Sequence, residues 1–253
     1  MIPAERRQKM LEYISNNGSA TITQLSKVYD VSDMTIHRDL HILETSGFIQ
    51  KTYGGVIASP YKVETDFKRR SQANPDRKEK IGKAAASLVN NGNSILIDGS
   101  STTHAIIPFL INDLQELTIF STSVTAVYKL AAVSKFEIHA TGGLVYNGTD
   151  GFVGPYANAF LDNIHVDICF IGASGICAPE GITDPIPLIN DVKHHMAKAS
   201  NEVIVCIDQT KFGRLSPFNI LPLEQIDLVV TDAEEDNPYV QELQELGIEF
   251  LFC

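Results

Sequence analysis

Ser32-Asp33-Met34-Thr35-Ile36-His37-Arg38-Asp39 is the stretch that decides how the first part of the chain folds. The hydroxyl of Ser32 can cap a helix, because it can accept a hydrogen bond from a free backbone N–H of the first turn. Apolar residues then fall roughly on one helical face, at Met34, Ile36, Leu40 and Leu43, which predicts a helix with one buried side. The other side offers hydrogen-bond donors and a positive charge, as a DNA-reading helix does. An ordinary amphipathic helix with a solvated face is the alternative.

The residues on both sides of this stretch favour the DNA-reading helix. Thr21 can cap a preceding helix, and a short turn at Asp30-Val31 joins that helix to Ser32. Two helices joined by so short a turn are typical of a helix-turn-helix unit. Residues 48–57 then predict a β-ribbon that bends at Gly54-Gly55, at the place where a winged helix has its wing.

Residues 6–57 resemble the DNA-binding domain of the DeoR family of bacterial sugar-metabolism regulators. The resemblance rests on Arg6, Ser32, Thr35-Ile36-His37-Arg38-Asp39-Leu40, Leu43-Glu44 and Gly54-Gly55. The chain departs from the family pattern at His37, where Arg is more usual, and histidine is weaker for bidentate contact with guanine. The resemblance implies a double-stranded DNA operator as partner. The expected DNA-binding residues are Arg6, Thr21, Ser32, Asp33, Met34, Thr35, His37, Arg38, His41, Lys51 and Tyr53.

The charge of the chain divides unevenly along its 253 residues. Residues 1–83 hold 14 of the 20 Lys and Arg and 10 of the 31 Asp and Glu, a net charge of +4, so the remainder carries -15 of the total of -11. A basic head on an acidic body fits one part that neutralises phosphate and another that stays off DNA. The length suggests two domains. We predict a winged helix-turn-helix domain at 1–57, a linker at 58–78 and a second domain at 79–253.

The composition indicates a cytoplasmic protein. No apolar run is long enough to span a membrane, and the charged N-terminus lacks the apolar core of a signal peptide. The four cysteines have no CxxC spacing, which favours buried thiols in a reducing compartment over a disulfide framework or a zinc site. The histidines also lack the spacings that are typical of metal sites. We expect no metal, no cofactor and no membrane partner.

The pattern changes after residue 79 and predicts a mostly parallel sheet with helices between several of its strands. Short apolar runs occur at 94–97, 117–120, 136–139, 167–171, 203–207, 228–230 and 248–251. Runs that alternate with helical stretches are typical of a Rossmann-like α/β domain. In such a sheet, ligands bind beyond the carboxyl ends of the strands.

Residues at these strand ends are suited to an anionic ligand. Hydroxyl side chains and free N–H groups at a helix start can cradle a phosphate, and glycine lets the backbone approach a ligand closely. Each loop alone is equally compatible with simple helix capping. The expected effector-binding residues are Asp98, Gly99, Ser100, Ser101, Thr102, Thr103, Ser121, Thr122, Ser123, Gly142, Gly143, Lys193, Asp208 and Lys211. For Lys193, an exposed helix lysine is the alternative.

Residues 77–232 resemble the DeoR-family sensor domain, which is similar in fold to ribose-5-phosphate isomerase and binds phosphorylated sugars. The match includes 97–103, 141–143, 167–172, 192–193 and 208–213. The chain departs from the family pattern where Gly99 and Ser100 exchange order and where Ile189 replaces a usual Glu. The resemblance implies a phosphorylated sugar as effector.

These observations predict a ligand-controlled repressor of a carbohydrate-utilisation operon that binds its operator as a homo-oligomer. The rival interpretation is a sugar-phosphate isomerase with an added DNA-binding head. An isomerase needs a carboxylate base against the substrate carbon, and the sequence offers only Asp98 and Asp208 as carboxylates at strand ends. We therefore favour the regulator and expect no catalytic residues.

Overall fold

A computed structural model of the chain describes residues 3–45, 49–52, 54–58, 67–146 and 149–253. The chain divides into two compact units, Met1–Val63 and Glu64–Cys253. Among these residues, no helix is long and apolar enough to cross a membrane.

The first unit is a winged helix-turn-helix. Its elements are α1 (Pro3–Asn17), β1 (Ser19–Thr21), α2 (Ile22–Tyr29), α3 (Asp33–Thr45), β2 (Ile49–Thr52) and β3 (Gly55–Ala58). The hairpin of β2 and β3 forms the predicted wing, and β1 adds a third strand to it in the order β1-β3-β2. The core of this unit consists of Met10, Ile14, Ala20, Leu25, Ile36, Leu40, Leu43, Ile49 and Val56.

For this unit, the predicted helix cap at Thr21 is confirmed and the predicted burial of Met34 is wrong. Thr21 caps α2 as expected, since its Oγ1 accepts from the N–H of Gln24 at 3.2 Å and the Gln24 side chain accepts from the N–H of Thr21 at 2.8 Å. Met34 was placed on the buried face of α3, and this was wrong, because its side chain is 80% exposed. Residue 34 lies on the first turn of α3, beyond the core that Ile36 and Leu40 reach.

The second unit is built on a seven-stranded parallel sheet. Its first half contains α4 (Phe67–Gln72), α5 (Pro75–Ala86), β4 (Ser94–Ile97), a 3₁₀ turn (Thr103–Ile106), α6 (Ile107–Asp113), β5 (Leu117–Ser121), α7 (Val124–Ala131), β6 (Phe136–Ala140), β7 (Leu144–Val145), β8 (Phe152–Val153) and α8 (Pro155–Leu161). Its second half contains β9 (Val166–Gly172), β10 (Gly175–Cys177), β11 (Gly181–Asp184), α9 (Pro187–Lys198), β12 (Ser200–Cys206), β13 (Phe218–Leu221), β14 (Leu228–Thr231), α10 (Pro238–Glu245) and β15 (Phe250–Phe252). The predicted apolar runs all fall within or overlap strands of this sheet.

The strand order β15-β14-β12-β9-β4-β5-β6 places a switch point between β4 and β9. The chain proceeds from β4 to β5 and β6 on one side, and returns to fill the other side from β9 outward. Loops that leave neighbouring strands in opposite directions open a crevice at the carboxyl edge of the sheet. A small antiparallel sheet, β10-β11-β13, follows β9 and was not foreseen from the sequence.

Part of the predicted linker, 58–78, belongs to the second unit. Residues 59–66 lie outside the described residues, but α4 and the start of α5 are helical and follow Glu64. Pro75 begins α5 instead of interrupting a helix, since proline fits the first helical turn. Lys78 joins the two helices, because its Nζ donates to the carbonyl oxygens of Arg70 and Ala73.

Candidate functional site

The exposed face of α3 carries most of the expected DNA-binding residues. Ser32 caps the helix as predicted, with its Oγ 3.4 Å from the N–H of Thr35 and 3.0 Å from the Thr35 hydroxyl. Further residues of this face are exposed to solvent: Asp33, Met34, His37, Arg38 and His41. Such a surface at the N-terminal part of a second helix has the shape and donors needed to enter the major groove.

Arg6 does not belong to this face. Its guanidinium is buried, and its Nε lies 2.6 Å from Oδ2 of Asp39, which is 2% exposed. Arg7 reaches the other oxygen of the same carboxylate at 3.3 Å. Arg6 therefore ties α1 to the buried side of α3, and the expectation that it meets DNA is corrected.

The remaining expected DNA-binding residues lie outside α3. Thr21 is exposed, with its side chain engaged in the cap of α2. Lys51 stands on the wing strand β2 and pairs with Glu44 at 2.5 Å, so its charge is partly balanced within the protein. Tyr53 lies outside the described residues.

Asp98 is the centre of the loop that follows β4. Its carboxylate accepts hydrogen bonds from the Ser100 N–H at 3.0 Å and hydroxyl at 2.5 Å, and from the Thr103 hydroxyl at 2.6 Å. The N–H of Gly172, at the end of β9, donates to it at 3.1 Å. Only glycine fits there, since a Cβ on Gly172 would stand 2.5 Å from the Cβ of Ser100. Two of the hydroxyl groups expected to cradle a phosphate, those of Ser100 and Thr103, thus bind a carboxylate of the protein itself.

Lys193 also meets protein carboxylates. Its Nζ donates to the carbonyl oxygen of Gly172 at 2.8 Å and lies 3.4 Å from Asp98 and 3.5 Å from Asp184. All three charged side chains are buried. The sequence had offered Lys193 as a phosphate contact or as an exposed helix lysine, and the second alternative was wrong. It did not indicate Asp184, which ends β11 of the unforeseen small sheet.

These groups line a cleft at the switch point. We call it the carboxylate cleft, and its lining residues include Asp98, Ser100, Thr122, Asp184, Ile189 and Lys193. Gly99 also lies on its wall. The cleft pairs one ammonium with two carboxylates, so it presents both donors and acceptors for the hydroxyl groups of a small polar molecule.

A second cleft lies next to the first and shares Arg70, Ser100, Ser174 and Asp184 with it. We call it the basic cleft, since Arg69, Arg70, Lys78 and Lys211 line it against only two acids, Asp184 and Asp208. Ser101 and Thr102 also lie on its wall. Burial is the main reason that the pKa of Lys78 falls to about 8 and that the pKa of Lys211 is lowered. The positive charge of Arg70 lowers both pKa values further.

Ser121, at the end of β5, and Ser123 make hydrogen bonds within the protein and line neither cleft. Ser121 donates to the carbonyl oxygen of Ile97 at 2.9 Å. Ser123 caps α7 by accepting from the N–H of Ala126 at 2.9 Å, donates to Asp150 and lies 2.7 Å from Nε2 of His104. Burial lowers the pKa of His104 to about 4. These hydroxyl groups therefore stabilise the loop after β5 through hydrogen bonds inside the protein.

Two glycines of the predicted set also lie away from both clefts. Gly142 and Gly143 turn the chain between β6 and β7 with φ values of 67° and 112°. A Cβ on Gly143 would stand 2.9 Å from the carbonyl oxygen of Val153, so the close approach is to the protein's own backbone. Thr103 and Thr122 are both buried, and of the two only Thr122 lines the carboxylate cleft.

Within the part of the chain that the structure describes, no group of three or more His, Cys, Asp or Glu side chains is arranged to hold a metal ion. His195, for example, instead lies 2.5 Å from Asp162.

Comparisons with known proteins match both units. Residues 6–60 match the DeoR-like helix-turn-helix domain, and residues 73–233 match the DeoR C terminal sensor domain. Over 249 residues the chain is 33% identical to the HTH-type transcriptional regulator GolR of Listeria innocua, covering 98% of each chain. It is 28% identical to the HTH-type transcriptional regulator IolR of Bacillus subtilis, covering 93% of this chain and 94% of that one.

A further relative is the putative aga operon transcriptional repressor of Escherichia coli O157:H7, which is 26% identical and covers 98% of this chain and 93% of its own length. Among solved structures, ribose 5-phosphate isomerase A of Methanocaldococcus jannaschii covers 55% of each chain at 23% identity, with a TM-score of 0.41.

Proposed function

Because this chain belongs to the DeoR family of DNA-binding transcriptional regulators, we propose that it represses a carbohydrate-utilisation operon and that a phosphorylated sugar controls its DNA binding. The observation that carries the proposal is a buried ammonium between two carboxylates, beside a cluster of basic side chains, at the switch point of the second unit. A polyhydroxylated anion needs hydrogen-bond donors and acceptors for its hydroxyl groups, and basic side chains for its negative charge. Operator DNA and phosphorylated sugars are both found in the cytoplasm, where we propose that the protein acts.

The DNA contact is assigned to the exposed face of α3 and to the wing. Arg38 is the central basic residue of this face, and it is exposed to solvent. His37 is also exposed, and its ring nitrogens can take part in hydrogen bonds. The two residues give α3 the means to contact both phosphates and base edges.

Arg38→Ala should weaken operator binding by roughly 1–3 kcal/mol if the guanidinium meets a base or a phosphate. Gel-shift titration with an operator selected from random-sequence DNA measures the loss. Because the side chain is exposed, thermal unfolding of the full chain should stay unchanged. Equal operator affinity of the variant and the parent protein at moderate salt would remove α3 from its role.

The effector proposal is tested by a thermal-shift screen of the full chain with sugar phosphates and the corresponding free sugars. A ligand that binds only the folded protein at a hundred times its dissociation constant stabilises it by about 2.7 kcal/mol. We expect one or more sugar phosphates to raise the melting temperature and to change operator affinity in a gel shift. If no sugar phosphate does either, the effector class is wrong, whereas the role of α3 stands.

An isomerase activity is the second candidate, because the structure brings Asp184, a carboxylate that the sequence did not indicate, into the same cleft as Asp98. Asp184 ends β11, and Asp98 faces the same cleft. The Asp98 carboxylate already accepts several hydrogen bonds from the protein, which leaves it poorly placed for abstracting a proton from carbon. The relatives named above are transcriptional regulators. Turnover of ribose 5-phosphate by the purified protein at about 1 s⁻¹ or faster would favour the enzyme.

The protein is also proposed to act as a homo-oligomer. A single winged helix makes few contacts, and tight specific binding generally needs repeated half-sites read by two or more copies. Light scattering at micromolar concentration, with and without DNA, measures the assembly.

A further inference from the structure

Lys193 is poorly placed to be the main phosphate contact of the effector site. Its ammonium lies 3.4 Å from Asp98 and 3.5 Å from Asp184, and both carboxylates are buried with it. The three groups together carry a net negative charge when ionised. A phosphate brought against them would meet two like charges for each opposite one, and in a buried site such repulsion is weakly screened.

The basic cleft has the opposite balance. Arg69, Arg70, Lys78 and Lys211 face Asp184 and Asp208, so basic groups exceed acidic ones by two. Lys78 is engaged, because its Nζ donates to the carbonyl oxygens of Arg70 and Ala73. Arg69 is exposed to solvent, whereas Arg70 and Lys211 are half-buried. Among the described residues, the side-chain donors of Arg70 and Lys211 have no carboxylate partner within hydrogen-bonding distance.

Arg70 carries an independent sign of a missing partner. Its Nε is buried and has no hydrogen-bond partner among the described residues. A buried donor without a partner costs free energy, and an arginine fork is suited to two oxygens of one phosphate. The N–H is thus available for an anion in the cleft that Arg70 lines.

The two clefts are adjacent and share part of their walls. Arg70, Ser100, Ser174 and Asp184 line both of them. A compound with a phosphate at one end and hydroxyl groups at the other would place the phosphate near Arg70 and Lys211. Its hydroxyl groups would then meet Asp184, Asp98 and Lys193.

We propose that Arg70 of α4 and Lys211 hold the phosphate of the effector, whereas Lys193 and its two carboxylates hold the sugar hydroxyl groups. This inference rests on the proposed function and reassigns the phosphate from the loop after β4 and Lys193 to the basic cleft. It also brings α4 into the site. Residues 59–66 connect α4 to the DNA-binding unit along the chain, so the phosphate binds the first helix that follows this connection.

The test uses the full-length protein with inorganic phosphate and with the sugar phosphate that gives the largest shift in the thermal screen. Calorimetric titration compares the parent protein with Arg70→Met and Lys211→Met. We expect each substitution to weaken binding of both probes at least tenfold, since a charge-assisted hydrogen bond is lost. Binding of the corresponding free sugar should be unchanged. Arg70→Lys, which keeps the charge but loses the fork, should give an intermediate affinity for the phosphate-bearing probes.

Lys83→Met is the matched control. Lys83 is exposed on α5 and does not line either cleft, so its removal changes the net charge by the same amount and should leave both affinities unchanged. Circular dichroism and melting temperature should be the same for Arg70→Met and the parent protein, because Lys78 contacts only the backbone of residue 70.

The failure of this inference can be told apart from that of the proposed function. A sugar phosphate that binds equally to the parent protein, Arg70→Met and Lys211→Met would overturn the basic cleft as the phosphate site and leave the effector class standing. Inorganic phosphate that binds the parent protein but not Arg70→Met, in the absence of binding by every sugar phosphate, would support the phosphate site and overturn the sugar. Absence of phosphate binding by the parent protein at millimolar concentration would overturn the inference.

Discussion

Asp39→Ala is expected to destabilise the DNA-binding unit by about 3–5 kcal/mol, because it leaves the buried guanidinium of Arg6 without its counter-charge. The Nε of Arg6 lies 2.6 Å from the Asp39 carboxylate, and Arg7 approaches the other oxygen at 3.3 Å. The carboxylate joins α1 to α3, so operator binding should be lost together with the fold of this unit. Urea unfolding of the full chain, followed by circular dichroism, measures the change.

Arg38→Ala is the matched control, since Arg38 directly precedes Asp39 in α3 and its side chain is exposed. An exposed substitution of this kind should change stability by no more than about 0.5 kcal/mol. The two variants should therefore differ in stability. Asp39→Ala should lose both the fold of the unit and operator binding, whereas Arg38→Ala should lose only operator binding. Equal unfolding curves for the two variants would mean that the Arg6–Asp39 pair does not hold the helices together.

Asp98→Ala should abolish binding of the phosphorylated sugar and destabilise the second unit by about 3–5 kcal/mol. The substitution removes the acceptor for donors of Ser100, Thr103 and Gly172 and one of the two carboxylates beside buried Lys193. The loop after β4 loses the interactions that fix it against β9. Differential scanning calorimetry measures the stability, and titration with the sugar phosphate measures the binding.

Two further variants show which property of Asp98 matters. Asp98→Asn keeps the shape and part of the accepting capacity but removes the charge, so it should destabilise the unit less than Asp98→Ala does. Asp236→Ala removes an exposed carboxylate from the same unit and should leave both stability and binding unchanged. Parental affinity in Asp98→Ala would show that the carboxylate cleft is not part of the effector site.

Elements with local signals were predicted well from the sequence. The cap at Ser32, the cap at Thr21 and the glycine bend of the wing depend on residues close together in the chain. The apolar runs of the parallel sheet are similarly local, and they placed its carboxyl edge correctly. Met34 was misplaced because helical periodicity does not say where the core beneath the helix ends.

The site was predicted less well because its charged groups come together from residues that are far apart in the sequence. Asp184 reaches Lys193 through a small sheet whose short strands resemble loop sequence. Arg70 was assigned to the linker at 58–78, whereas it lies on α4 of the second unit. Residue type alone also does not distinguish a hydroxyl that binds a ligand from one that holds a loop, as Ser121 and Ser123 show.

The attachment of α4 to the second unit decides where this protein can be divided. Phe67 packs edge-on against His104 with ring centroids 4.9 Å apart, and Lys78 holds the carbonyl oxygen of Arg70. The sensor-domain match begins only at residue 73, so a fragment cut at that boundary would lack the whole of α4. A chimera that gives this sensor a different DNA-binding head therefore needs its junction before Phe67, where the exchange leaves the wall of the basic cleft in place.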